Sequence, residues 1–282
     1  MRSIATTAVA AALLLAGCRI EVSGDGGGSA WSGERVERVE ELALDPAGAT
    51  TLEVESGAGS ITLGPNAAGS DVRVVATVQA PTDEDLRRVS VVIASSGGVA
   101  RVGYAVEGSR DGISVSFEVS APPTLEARLR SGAGSVRVDR WESAVRVRTS
   151  AGSVSTDGVR GDQDLESGAG SVRVSDAEGC VRAETSAGSI RVGGRLRGDC
   201  SLVTSAGSVD ALLPGDARLK LHGKTAAGSV QSDFPVAVRG QYASKSLEGV
   251  LGDGAEGSLR IESSAGSLRV RSSTGSLAIE PK

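Results

Sequence analysis

The run Ser-Gly-Ala-Gly-Ser-Val-Arg-Val at residues 131–138 returns in variant form down most of this chain. The serine that closes the Ala-Gly-Ser step falls at Ser135, Ser153, Ser171 and Ser189, 18 residues apart each time, then at Ser208 and Ser229 after slightly longer steps. Ser60 lies upstream and Ser267 downstream. A repeat this short, alternating turn residues with apolar-polar-apolar runs, is one supersecondary unit stacked on copies of itself, and it predicts a solenoid.

One unit can be read directly. Val136-Arg137-Val138 alternates with the two-residue period of a strand, Trp141-Glu142-Ser143 breaks the alternation, and Val145-Arg146-Val147-Arg148 resumes it. Two short strands and two corners make one coil, with Ala-Gly-Ser at a corner where glycine takes positive φ and a small side chain lets the chain double back. Stacked coils would set Val136, Val154, Val172, Ile190, Val209 and Val230 in one inward column, with neighbours roughly 4.8 Å apart. Two Trp, two Tyr and two Phe in 282 residues cannot fill a wide interior, so the coil should be thin. Helical folds are excluded by 39 glycines and by the lack of any long run with helical spacing. Disorder is excluded by a 39% hydrophobic content placed at strand spacing. The expected fold is all-β: a single-stranded parallel β-solenoid, β-helix-like, with coils of roughly 18 residues and an elaborated N-terminal strand block.

Read in order, residues 1–17 have the form of an export signal, with a positive start at Arg2 and an apolar run from Ile4 to Leu14. Leu15-Ala16-Gly17-Cys18 resembles the lipobox of bacterial lipoproteins. That resemblance implies cleavage before Cys18, a diacylglycerol on its thiol and acylation of the new amine, and two or three acyl chains anchor effectively permanently. Residues 18–34 are Gly- and Ser-rich, the composition of a flexible tether. The solenoid domain should occupy 35–282: elaborated coils over 71–122, regular coils over 125–232, and irregular C-terminal coils and a cap over 233–282. The first strand is expected at 36–44, where glutamates leave a short helix open as the alternative. Longer strands are expected at 72–78, 89–94, 99–106 and 113–119, with a brief helix after an N-cap at Thr82.

Several features together resemble the bacterial putative adhesin family, a domain of unknown function related to the auto-transporter adhesin head domain. Leu52-Glu53-Val54 precedes the first Gly-Ser corner, and Phe117-Glu118-Val119 runs into Pro122-Pro123. Leu125-Glu126-Ala127-Arg128-Leu129 then opens the series of Ser-Gly-x-Gly-Ser coils. The similarity spans roughly 36–279 and implies a single-stranded β-solenoid. The family has no agreed catalytic or binding residues to carry over. Its corners commonly read Ser-Gly-Asp; this chain uses Ala-Gly-Ser, which removes an acidic column and weakens the case for a stacked metal site.

A formal net charge of −5 argues against a general polyanion binder, nucleic acid included. Locally, Arg137, Arg173, Arg191 and Arg269 each stand two residues after a corner serine and would form an outward basic stripe. One reading of the stripe is docking of phosphate or carboxylate groups on envelope polymers or a partner protein; the other is a solvated strand face. Acids recur at Asp139, Asp157, Asp176 and Asp233, the residue type that β-helix enzymes use on polysaccharides, but Asp-Gly corners satisfy turn chemistry alone. The lone histidine, His222, has no Cys or His neighbours to make a zinc site. Cys180 and Cys200 fall on successive coils at nearly the same register, as either a disulfide or two buried thiols.

No cofactor, metal or catalytic set is expected. The leading expectation is a non-catalytic, lipid-anchored surface for adhesion, scaffolding or partner binding in the bacterial cell envelope. Its partners would be the membrane, through the acyl chains, and an envelope polysaccharide or another envelope protein. A periplasmic sensor or assembly module is the alternative, and a polysaccharide-acting β-helix enzyme stands third. Arg19, where an Asp would signal inner-membrane retention, points to the outer membrane in a Gram-negative host.

Overall fold

The computed structural model describes residues 35–273, apart from 47, 67, 68 and 241–243. The export signal, Cys18, the whole tether and the C-terminal end at 274–282 therefore lie outside the described residues. Among those described, no helix is long and apolar enough to cross a membrane.

The polypeptide winds between a twelve-stranded and an eleven-stranded sheet, crossing from one to the other at each Ala-Gly-Ser corner. In the coil made by Val145–Ala151 and Val154–Asp157, Val145, Val147, Thr149, Val154 and Thr156 are buried while Arg146 and Arg148 point out. Parallel pairing sets Val147 between Leu129 and Leu165, and Val154 between Val136 and Val172. These six side chains are at most 1% exposed, and full burial of each contributes roughly 1.5–3 kcal/mol. Larger residues are few but also placed inside: Trp141 is fully buried, and its indole Nε1 donates to Leu125 O at 2.7 Å.

The corners explain the repeat. Gly152 has φ +156°, and a methyl group there would stand 2.1 Å from the Gly134 carbonyl oxygen of the previous coil. Stacking distance, as well as turn geometry, demands glycine. Just inside each corner a hydroxyl reaches back one coil: Ser167 Oγ donates to Gly152 O at 2.8 Å, Thr185 Oγ1 to Gly170 O at 2.9 Å and Thr204 Oγ1 to Gly188 O at 2.9 Å. These hydroxyls are at most 2% exposed. They satisfy carbonyls that would otherwise be stranded, at a cost of about 1–3 kcal/mol each.

At the N-terminal end, residues 36–44 form a strand, Val36–Leu44, antiparallel to Val72–Ala80, which settles the choice against helix there. The brief helix is Asp83–Arg87; its N-cap Thr82 accepts from the Asp85 N–H at 3.2 Å, and three acids occupy its first turn. Val99–Val106 and Ser114–Ala121 make a parallel coil against Thr51–Ala58 and Ile61–Pro65. Val72–Ala80 and Val89–Ser96 run antiparallel outside that coil.

Stacking order departs from chain order at both ends. The coil Thr51–Ala58/Ile61–Pro65 lies between the 99–121 coil and the coil Glu126–Ala133/Val136–Asp139. At the other end, Gly257–Ala265/Leu268–Ser272 is slotted between Gly198–Ala206/Val209–Leu213 and Leu219–Ala227/Val230–Ser232. The inward column is therefore corrected: the neighbour of Val209 is Leu268, and Val230 lies beyond it. Nor do residues 257–272 end the stack, because Lys245–Val250 extends it antiparallel to Leu219–Ala227, and Ala237–Arg239 pairs antiparallel with Lys245–Val250 in turn. Coils are alike at their edges, so the hydrogen-bonding pattern accepts either neighbour, and connection length together with side-chain fit selects between them.

Candidate functional site

The outward positions of the eleven-stranded sheet carry the predicted arginine stripe. Two residues after the corner serine, the cross-strand order is Thr62, Arg137, Ser155, Arg173, Arg191, Asp210, Arg269 and Gln231. Arg173 and Arg191 are thus direct neighbours. Arg137 is set apart by the Ser155 coil, and its Nε donates to Asp139 Oδ2 at 2.7 Å; that hydrogen bond raises the guanidinium pKa above its ordinary value. Arg269 arrives from the slotted coil, with Asp210 between it and Arg191.

Along Arg173, Arg191, Asp210 and Arg269 runs an open groove of about 390 Å³, floored by the strand backbones and walled on one side by corner serines. Arg173 has no hydrogen-bond or ion-pair partner among the described residues. Arg269 Nε donates to the Gln231 amide oxygen at 3.2 Å. Asp210 is shared: Arg191 Nε lies 3.5 Å from its Oδ2, and Arg271 grips both carboxylate oxygens at 2.9 and 2.6 Å. The pairing with Asp210 raises the Arg271 pKa. Asp210 and Arg271 escaped sequence reading because only the slotted coil brings them together, across 61 positions of chain.

The wall of the groove is a serine rail. Ser189 N–H donates to Ser171 Oγ at 3.4 Å, Ser208 N–H to Ser189 Oγ at 3.4 Å, and Ser267 N–H to Ser208 Oγ at 3.3 Å. Each of these hydroxyl oxygens accepts from the next coil, which leaves its own proton to donate outward. The corner serines were legible from the repeat; their role as donors was not.

The remaining candidates are dispersed. Asp139 and Asp157 are cross-strand neighbours on adjacent coils. Asp176 sits at φ +48° in the bulge between Val174 and Ala177, and Asp233 Oδ2 accepts from the Ser272 N–H at 3.2 Å. His222 is exposed on Leu219–Ala227, between Glu248 and Arg260. Among the described residues no three His, Cys, Asp or Glu side chains gather in a metal-ligating cluster.

Cys180 and Cys200 do come together, as free thiols 3% and 2% exposed. Cys180 Sγ donates to Asp199 O at 3.0 Å, and Cys200 Sγ lies 3.6 Å from Arg197 O. Hydrogen bonding to the Cys200 thiol and burial push Cys180 well above its ordinary pKa.

The Toastrack DUF4097 family matches residues 32–271. Among solved structures, a putative cell adhesion protein from Clostridium sporogenes is 12% identical, over 84% of this chain and 99% of its own, with a TM-score of 0.39. A putative adhesin from Bacteroides fragilis is 13% identical over 83% of this chain and 96% of its own, also at a TM-score of 0.39. One from Parabacteroides distasonis is 10% identical over 84% and 98%, at 0.38. No curated protein matches the chain.

Proposed function

The chain belongs to the Toastrack DUF4097 family, and from that premise we propose that it is a non-catalytic binding surface of the bacterial cell envelope, held to the membrane by acyl chains on Cys18. The observation that carries this reading is how side chains are divided within a coil. Inward residues are used up in packing and in capping corner carbonyls, while outward residues project from two broad sheet faces. Such a body presents a wide, rigid surface, and its polar groups are spread along the stack rather than converging on one reacting atom. The lipobox at 15–18 and the Gly-rich segment behind it supply anchor and reach. Arg19 directs the protein to the outer membrane in a Gram-negative host.

Metabolic labelling with an alkyne fatty acid tests the anchor: the wild-type chain takes up label and Cys18→Ser does not. Incorporation into Cys18→Ser overturns it. Cleavage of any member of a panel of acidic and neutral polysaccharides by the purified protein overturns the non-catalytic reading.

A further inference from the structure

We propose that the groove along Arg173, Arg191 and Arg269 is a binding track for a linear, carboxylated polysaccharide lying parallel to the solenoid axis. This inference rests on the surface-binding role above and names its ligand class.

Three observations carry it. First, the groove is cationic on an acidic protein: Arg173, Arg191 and Arg269 line it with a single carboxylate, Asp210, which is itself held by Arg191 and by Arg271 beside the groove. Arg173 is unpaired among the described residues, and Arg269 is held only by an amide. Second, the positive groups are strung out along the stack. Arg173 and Arg191 are one coil apart, and Arg269 is two coils beyond Arg191. At roughly 4.8 Å per coil they span about 14 Å. A single phosphate or carboxylate needs converging donors; a line of them fits an extended polymer. Third, the serine rail adds outward hydroxyl donors at the same repeat.

Guanidinium forks match carboxylates in pairs of hydrogen bonds, and hydroxyl donors match the hydroxyl and ring oxygens of a sugar chain. A track of donors that is nearly free of acceptors selects an acceptor-rich anion. Single-stranded nucleic acid would call for aromatic stacking platforms, and no aromatic side chain lines the groove.

The test uses the full mature protein in neutral-detergent micelles, with calorimetric titration of polygalacturonate, dextran of matched length and inorganic polyphosphate. Polygalacturonate should bind, dextran should not, and polyphosphate, which meets the guanidinium forks but offers the serine rail no sugar hydroxyl or ring oxygens, should bind more weakly than polygalacturonate. Affinity should fall as salt rises from about 0.05 to 0.5 M, as screening shortens the reach of the charges. The triple variant Arg173→Glu/Arg191→Glu/Arg269→Glu should weaken polygalacturonate at least about tenfold, whereas Arg182→Glu on the opposite sheet should leave it within about twofold. Arg173→Lys/Arg191→Lys/Arg269→Lys keeps charge and fold but loses the fork, and should bind about threefold more weakly than wild type.

The proposal is overturned if polygalacturonate does not bind, if polyphosphate binds as well or better, or if either triple variant binds as wild type does. Failure here with fatty-acid labelling of Cys18 intact removes the glycan track and leaves the anchored surface standing. Failure of both removes the envelope role itself.

Discussion

The two faces of the solenoid are built from the same coils, yet they carry charge differently. On the twelve-stranded sheet, opposite charges meet across strands: Arg146 with Asp164 at 3.0 Å, Arg148 with Glu166 at 3.2 Å, and Glu53 between Arg101 and Arg128 at 3.1 and 3.6 Å. On the eleven-stranded sheet the groove gathers arginines around one shared aspartate. Exposed ion pairs contribute only about 0–1 kcal/mol each, so the mosaic on the first face does little for stability. What it does is cancel charge. The difference shows that the fold leaves outward residues free, because the inward column and the corners hold the coil together whatever its surface carries.

The comparison breaks most completely where the faces share a part. Gly170 is a corner glycine at φ +153° whose Cβ would stand 2.2 Å from Gly152 O in the previous coil. Gly170→Val should destabilise the protein by about 3 kcal/mol or more and remove both faces together; thermal unfolding measures this, and a melting curve like that of wild type would contradict it. A smaller change sharpens the contrast between the faces. Asp210→Asn removes the groove's carboxylate and frees Arg191 and Arg271, so polygalacturonate should bind about threefold more tightly by calorimetry, at a stability cost of about 1–3 kcal/mol because the Asp210 side chain is largely buried and holds both of Arg271's hydrogen bonds. Unchanged or weaker binding would mean that Asp210 orders the arginines instead of competing with the ligand. The smallest effect belongs to the balanced face. Arg148→Ala, which breaks the pair with Glu166, should shift urea-unfolding stability by less than about 1 kcal/mol and leave binding in the groove unaltered.

Much of the coil was legible because its causes are local. Val136, Val154, Val172 and Ile190 line up along the stack as the 18-residue spacing requires, and Thr82 caps the short helix that its side chain and the following acids foretell. The corner glycines were read as turn residues, which holds, but their tighter constraint is the carbonyl of the neighbouring coil. No local pattern could reveal that, since the clash involves a residue one coil away. The stripe was legible as four arginines and not as a site. Arg137 is tied to Asp139, Arg269 joins Arg191 only through the slotted coil, and Arg271 was not singled out at all.

The amino-acid order alone determined the coil: a glycine corner with a hydroxyl before it, alternating apolar residues after it, and an 18-residue return that puts like on like. Those are short-range requirements of backbone geometry and side-chain period, written anew in every repeat. Only the tertiary structure decided which coil stacks on which, and hence that residues 257–272 separate 198–213 from 219–232 and carry Arg269 and Arg271 to Asp210. Every coil edge offers the same row of donors and acceptors, so neighbour choice rests on the fit of whole coils and on the reach of the chain between them, properties that no single repeat contains.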